Sequence, residues 1–66
     1  MTWDQITGRW HQVKGQLRSK WGKLTDNDLE TIGGKREALV GKLQERYGMM
    51  KDEAERQADD WMKTLH

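Results

Sequence analysis

Displaced by 26 residues, the chain matches itself. Gly8, Gly15, Leu17, Gly22 and Asp26 fall on Gly34, Gly41, Leu43, Gly48 and Asp52. Ile6 falls on Ile32, Val13 on Leu39, Trp21 on Tyr47 and Leu24 on Met50. A repeat of this length constrains the fold before any single residue does. Each copy is one supersecondary unit that cannot bury its apolar face alone, so the copies must pack together. The organisation this predicts is a single helical domain over residues 1–66. Its copies span about 3–28 and 29–54, followed by a C-terminal helical extension.

Within each copy the apolar period is helical. Trp3, Ile6, Trp10, Val13, Leu17 and Trp21 step by three or four residues and share one face, predicting a first long helix from Trp3 to Trp21. Thr2 and Gln5 have capping-box spacing at its start. Thr25 caps a short second helix with acids in its first turn, ended near Ile32 by Gly33-Gly34. A third helix over about Lys35 to Tyr47 carries Leu39, Val40, Leu43 and Tyr47. A fourth begins near Lys51-Asp52-Glu53 and carries Met50, Ala54, Ala58, Trp61 and Leu65 at helical spacing. The fold class is therefore all-α: a small irregular array of four helices in two repeated long-short units. Trp10, Val13, Leu17, Trp21, Leu39, Leu43, Tyr47 and Trp61 form its expected core. The repeat further predicts that the two long helices superpose, with Gly22 and Gly48 at equivalent C-caps and Trp21 and Tyr47 as equivalent anchors.

Charge alternates with the same period. Residues 1–24 hold five cations and one anion, and residues 25–34 hold three anions and no cation. Residues 35–51 are again basic, with a net +3, and residues 52–66 acidic, with a net −3. Acids near helix starts and bases near helix ends suit the dipoles, and opposite signs favour pairing of each basic helix with the acidic one that follows.

Composition bounds the function. At 66 residues the chain buries only about 60% of its unfolded surface, so its stability is small. Without cysteine it has no disulfide and no thiolate metal site, as fits a reducing cytoplasm. Its longest apolar run, Ala38-Leu39-Val40, is too short to span a membrane, and Met1-Thr2-Trp3-Asp4 does not read as a secretory signal. A net charge of +1 implies neither a membrane nor a nucleic-acid partner, and a monomer is the expectation.

Features that suggest chemistry have plainer explanations. Gly8, Gly15 and Gly22, like Gly34, Gly41 and Gly48, recur every seven residues opposite the apolar stripe. They offer either a smooth back face for a partner or the inheritance of a duplication, and duplication is the simpler reading. The tryptophans could stack bases, but they share the core stripe, and the cations scatter around the first helix instead of forming one basic face. Asp26, Asp28 and Glu30 have calcium-loop spacing, but Thr31 stands where that loop needs glycine, so capping carboxylates are the better account. His11 and His66 have no partner at metal-ligand spacing. Glu53, Glu55, Asp59 and Asp60 read as a solvated face and not as an acid–base pair. There is no Ser-His-Asp or Cys-His set. The sequence therefore supplies no catalytic, cofactor-binding or metal residues and implies no cofactor.

One family shares these signals. Trp21-Gly22-Lys23-Leu24-Thr25-Asp26 with Asp28, Gly34-Lys35-Arg36, Leu39-Val40-Gly41-Lys42 and Gln44-Glu45-Arg46-Tyr47-Gly48 resemble the CsbD-like bacterial stress-response family. Trp10, Lys14-Gly15, Ala54-Glu55 and Trp61 extend the resemblance to nearly the whole chain, with the first eight residues carrying least of it. The resemblance implies a small cytoplasmic, all-helical bacterial protein, induced in general stress and without established catalytic or ligand-binding residues. The expected function is non-catalytic protection or adaptation under osmotic or stationary-phase stress. The alternative is a small helical binding module for a protein or nucleic-acid partner.

Overall fold

The computed structural model describes residues 1–65 and contains five helices: α1 Trp3–Gly8, α2 Trp10–Lys20, α3 Asp26–Ile32, α4 Arg36–Tyr47 and α5 Lys51–Thr64. His66 lies outside the described residues. The class is all-helical, as the periodicity predicts, but the described residues form five helices and not the expected four.

The first correction is at Arg9. The single helix expected from Trp3 to Trp21 is broken there, where the backbone (φ −118°, ψ 28°) ends α1 and starts α2. A helix has least to lose at this point, because the adjacent Gly8 is about 1 kcal/mol poorer than Ala as a helix former. The two segments also answer to different partners. Trp3 meets Trp61 of α5, with ring centroids 6.1 Å apart. Trp10 donates its indole N–H to the Leu29 carbonyl of α3 at 2.9 Å. Between them Thr7 donates its hydroxyl to the Gly34 carbonyl at 2.9 Å and seats α1 on the α3–α4 turn. Gly34 is needed there. Its φ is +85°, and a Cβ would stand 2.7 Å from the Thr7 Cα.

The second correction is at Gly22. The residue that ends α2 is Trp21, whose backbone leaves the helical region (φ −124°, ψ 84°), and Gly22 is not left-handed. The Trp21 carbonyl accepts from the Leu24 N–H at 3.1 Å. This turn puts both Trp21 and Leu24 into the core, which a left-handed exit one residue later would not do. Gly48 does end α4 in the left-handed region, at φ 66°. At the helix starts, Thr2 with Gln5 and Thr25 with Asp28 each close a reciprocal capping box.

Six of the eight expected core residues are buried: Val13, Leu17, Trp21, Leu39, Leu43 and Trp61. Ile6, Leu24, Leu29, Ile32, Val40, Ala54, Ala58 and Leu65 complete the core. Trp10 and Tyr47 are only half-buried, because each points a polar atom at another backbone. The Trp10 N–H reaches Leu29, and the Tyr47 hydroxyl accepts from the Lys23 N–H at 3.0 Å. Trp61 also meets Trp21, at 5.9 Å, and so stands against the indoles of both Trp3 and Trp21. α4 packs most closely on α5 and then on α3, making it the central helix. Met50, expected on the α5 apolar face, is instead 80% exposed, because it precedes the first turn of α5 and lies off the stripe begun by Ala54.

Candidate functional site

The most structured polar feature is a carboxylate inside the fold. Asp28 is 1% exposed and is the buried charged residue of the core region. Its position follows from the capping box: as the third residue of α3 it turns back to accept from the Thr25 N–H at 3.1 Å. The same carboxylate receives Arg46 of α4 as a two-pronged partner, with Nε at 2.9 Å and Nη2 at 3.0 Å. Lys42, one turn earlier on α4, brings its ammonium to 3.3 Å. Every oxygen of Asp28 is thereby satisfied, the condition under which a buried charge is tolerated. The Arg46 hydrogen bonds, joined by the Thr25 N–H, hold the Asp28 carboxyl well below the usual carboxylate range, and Asp28 in turn raises Arg46.

A second arginine clamp lies at the other end of α4. Arg36 donates to Asp59 of α5 through Nε at 2.8 Å and Nη2 at 3.0 Å, and reaches Glu55 at 3.5 Å. Asp59 and Glu55 are one turn apart, so both face the guanidinium. The pairing raises Arg36 and lowers Asp59. The central helix is thus pinned at its start to α5 and near its end to α3. On the other side, Lys14 pairs with Glu30 at 3.4 Å and Arg18 pairs with Asp26, closing α2 on α3.

This arrangement locks helices together; it does not present a reacting group. Every charge in the two clamps faces its opposite, and no buried side-chain nitrogen or oxygen among the described residues lacks a partner. Among those residues no group of three His, Asp or Glu could hold a metal ion, and no helix is long and apolar enough to cross a membrane. Surface depressions are shallow and open. One is lined by Gly15 with Leu29 and Glu30, and one by Gly41 with Val40 and Glu55. Gly8, Gly15, Gly22 and Gly41 are exposed, and a Cβ at any of them would meet nothing within 4 Å.

By their spacing Asp26, Asp28 and Glu30 are alike capping acids. The structure separates them: Asp28 caps and is buried in the clamp, whereas Asp26 and Glu30 lie on the surface against α2. The four-residue spacing of Lys42 and Arg46 was a visible signal of a shared anionic target. The identity of that target, 18 residues from Arg46, was not. Glu55 and Asp59, read as a solvated face, are half-buried partners of Arg36.

Comparison with known proteins places this architecture. The sequence profile of the CsbD-like family matches residues 4–56, a span that includes both clamping arginines and Asp28. The UPF0337 protein YjbJ of Escherichia coli is 54% identical over 63 residues, covering 96% of this chain and 91% of its own length. YjbJ of Salmonella typhimurium is 54% identical over 61 residues, covering 92% of this chain and 87% of its own. A UPF0337 protein of Rhodopseudomonas palustris is 54% identical over 65 residues, covering 98% of each chain. With the family pattern running through four of its five helices and into the fifth, and with near full-length relatives in several bacteria, this chain belongs to the CsbD-like family.

Proposed function

We propose that this protein is a non-catalytic protectant of stressed bacterial cells, acting through its surface. The observation that carries the reading is the division between inside and outside. Most apolar side chains are gathered into one small core, while the charged residues, 35% of a chain whose mean hydropathy is −1.13, face water with Asp28 as the buried exception among those described. Such a surface holds water and resists self-association when water activity falls, because burying its ion pairs and free charges against another molecule costs desolvation. The absence of cysteine matches that use, because no disulfide can cross-link the chain. The nucleic-acid version of the binding-module alternative is weakened by the basic α2 helix, where Lys14 and Arg18 are already engaged with the acids of α3.

The test is protection of a labile enzyme through drying and freeze–thaw, beside an equal mass of an uncharged helical protein. The reading expects higher recovered activity with this protein, together with reduced survival of a deletion strain after osmotic shock or prolonged stationary phase. Equal recovery in both samples, or tight salt-dependent binding to a nucleic acid, would replace it with the binding-module reading.

A further inference from the structure

The methionines differ sharply in their surroundings. Met1, Met49 and Met62 are partly buried and packed against the core, whereas Met50 is 80% exposed, the one exposed large hydrophobic residue among those described. Its counterpart in the repeat, Leu24, is 1% exposed. Where the first copy buries a branched aliphatic side chain, the second holds a thioether out in solvent.

We propose that Met50 is a peroxide-modification site, converted to the sulfoxide while the fold stays intact. In the reaction a sulfur lone pair attacks one oxygen of hydrogen peroxide and the O–O bond breaks. One oxygen stays on sulfur, and the other leaves as hydroxide and is protonated to water. Sulfur is oxidised by two electrons and the peroxide is reduced by the same two. Exposure governs which thioether reacts, and a sulfoxide is reversible by methionine sulfoxide reductases.

The surroundings of Met50 also suit the product. It immediately precedes α5, and its backbone carbonyl, not its side chain, makes the structural contact by accepting from the Ala54 N–H at 2.9 Å. Lys51, Asp52, Glu53 and Arg56 line the same shallow depression as Met50, so the product enters polar surroundings open to water. The sulfoxide oxygen carries partial negative charge, which the positive end of the α5 dipole favours. Oxidation at Met49 or Met62 would instead place a polar group against the core and loosen it.

The experiment is a time course with dilute hydrogen peroxide on the folded protein, mapped by peptide mass spectrometry, with circular dichroism on the same samples. The expected result is addition of one oxygen at Met50 several-fold faster than at Met49 or Met62. The helical signal and melting temperature should hold while Met50 alone is oxidised, and a sulfoxide reductase should reverse the addition. M50L should lose this first addition and leave the slower ones unchanged. Equal early oxidation of Met49 or Met62, or loss of helix in step with Met50 oxidation, would overturn the proposal.

Discussion

Trp21 packs its indole against Trp61 in a tilted arrangement, at a 60° interplanar angle, and is almost wholly enclosed. Truncating such a side chain leaves a cavity at the junction of α2 and α5 and costs about 3–5 kcal/mol, most of the stability of a domain this small. Trp21→Ala should therefore be largely unfolded at room temperature by circular dichroism. Tyr47, its counterpart in the repeat, holds a half-buried ring and one hydroxyl that accepts from the Lys23 backbone. Tyr47→Phe removes that acceptor at a site open to water, so the cost should be about 1 kcal/mol or less, read as a small fall in melting temperature. Similar losses in both variants would show that the two aromatics are equivalent after all.

At the scale of the helices, the glycines divide into two groups by what a methyl would touch. Gly15 and Gly41 are helical, exposed and free of neighbours, so each Gly→Ala change should stabilise its helix by up to about 1 kcal/mol. Gly34 has a positive φ and lies against the backbone of Thr7. Gly34→Ala should push α1 off the α3–α4 turn and lower the melting temperature. A thermal melt of the Gly15→Ala/Gly41→Ala double variant beside Gly34→Ala checks both signs. The same double variant bears on function. If protection comes from the surface as a whole, a strain carrying only that copy should survive stress as the unmodified strain does. A stable variant that fails to protect would place a partner on the glycine face.

At the scale of the whole molecule, the two arginine clamps make stability depend on acid. Asp28 and Asp59 both have folded-state pKa values below those of an unfolded chain, held down first by hydrogen bonds from Arg46 and Arg36. A lowered carboxyl contributes stability that is fully present above the unfolded value, about 3.9. That stability is lost as pH falls through the folded value. Melting temperature should therefore be level from about pH 5 to 8 and fall steeply below about pH 4. Asp28→Asn should lower stability at neutral pH by leaving Arg46 and Lys42 beside a neutral amide, and should flatten the acid limb. An unchanged acid limb in that variant would remove Asp28 from the account. Asp26→Asn, which touches only the exposed pair with Arg18, should change little.

Much of this architecture was legible in the chain itself. The apolar period, the capping spacings at Thr2 and Thr25 and the left-handed stop at Gly48 are local properties. They depend on residues within four positions of one another, so backbone geometry alone reads them out. Most of the core followed as well, because a stripe at helical spacing has one face to bury. Tertiary structure decided the rest. The break at Arg9 arises because Trp3 and Trp10 serve different helices, and the apolar spacing, which predicts one continuous helix, carries no information about partners. The exit at Trp21 in place of Gly22 follows from the core's claim on both Trp21 and Leu24. The burial of Asp28 with Arg46 and the exposure of Met50 depend on which helix lies across from each. Sequence spacing is blind to that choice, since it is made by long-range packing.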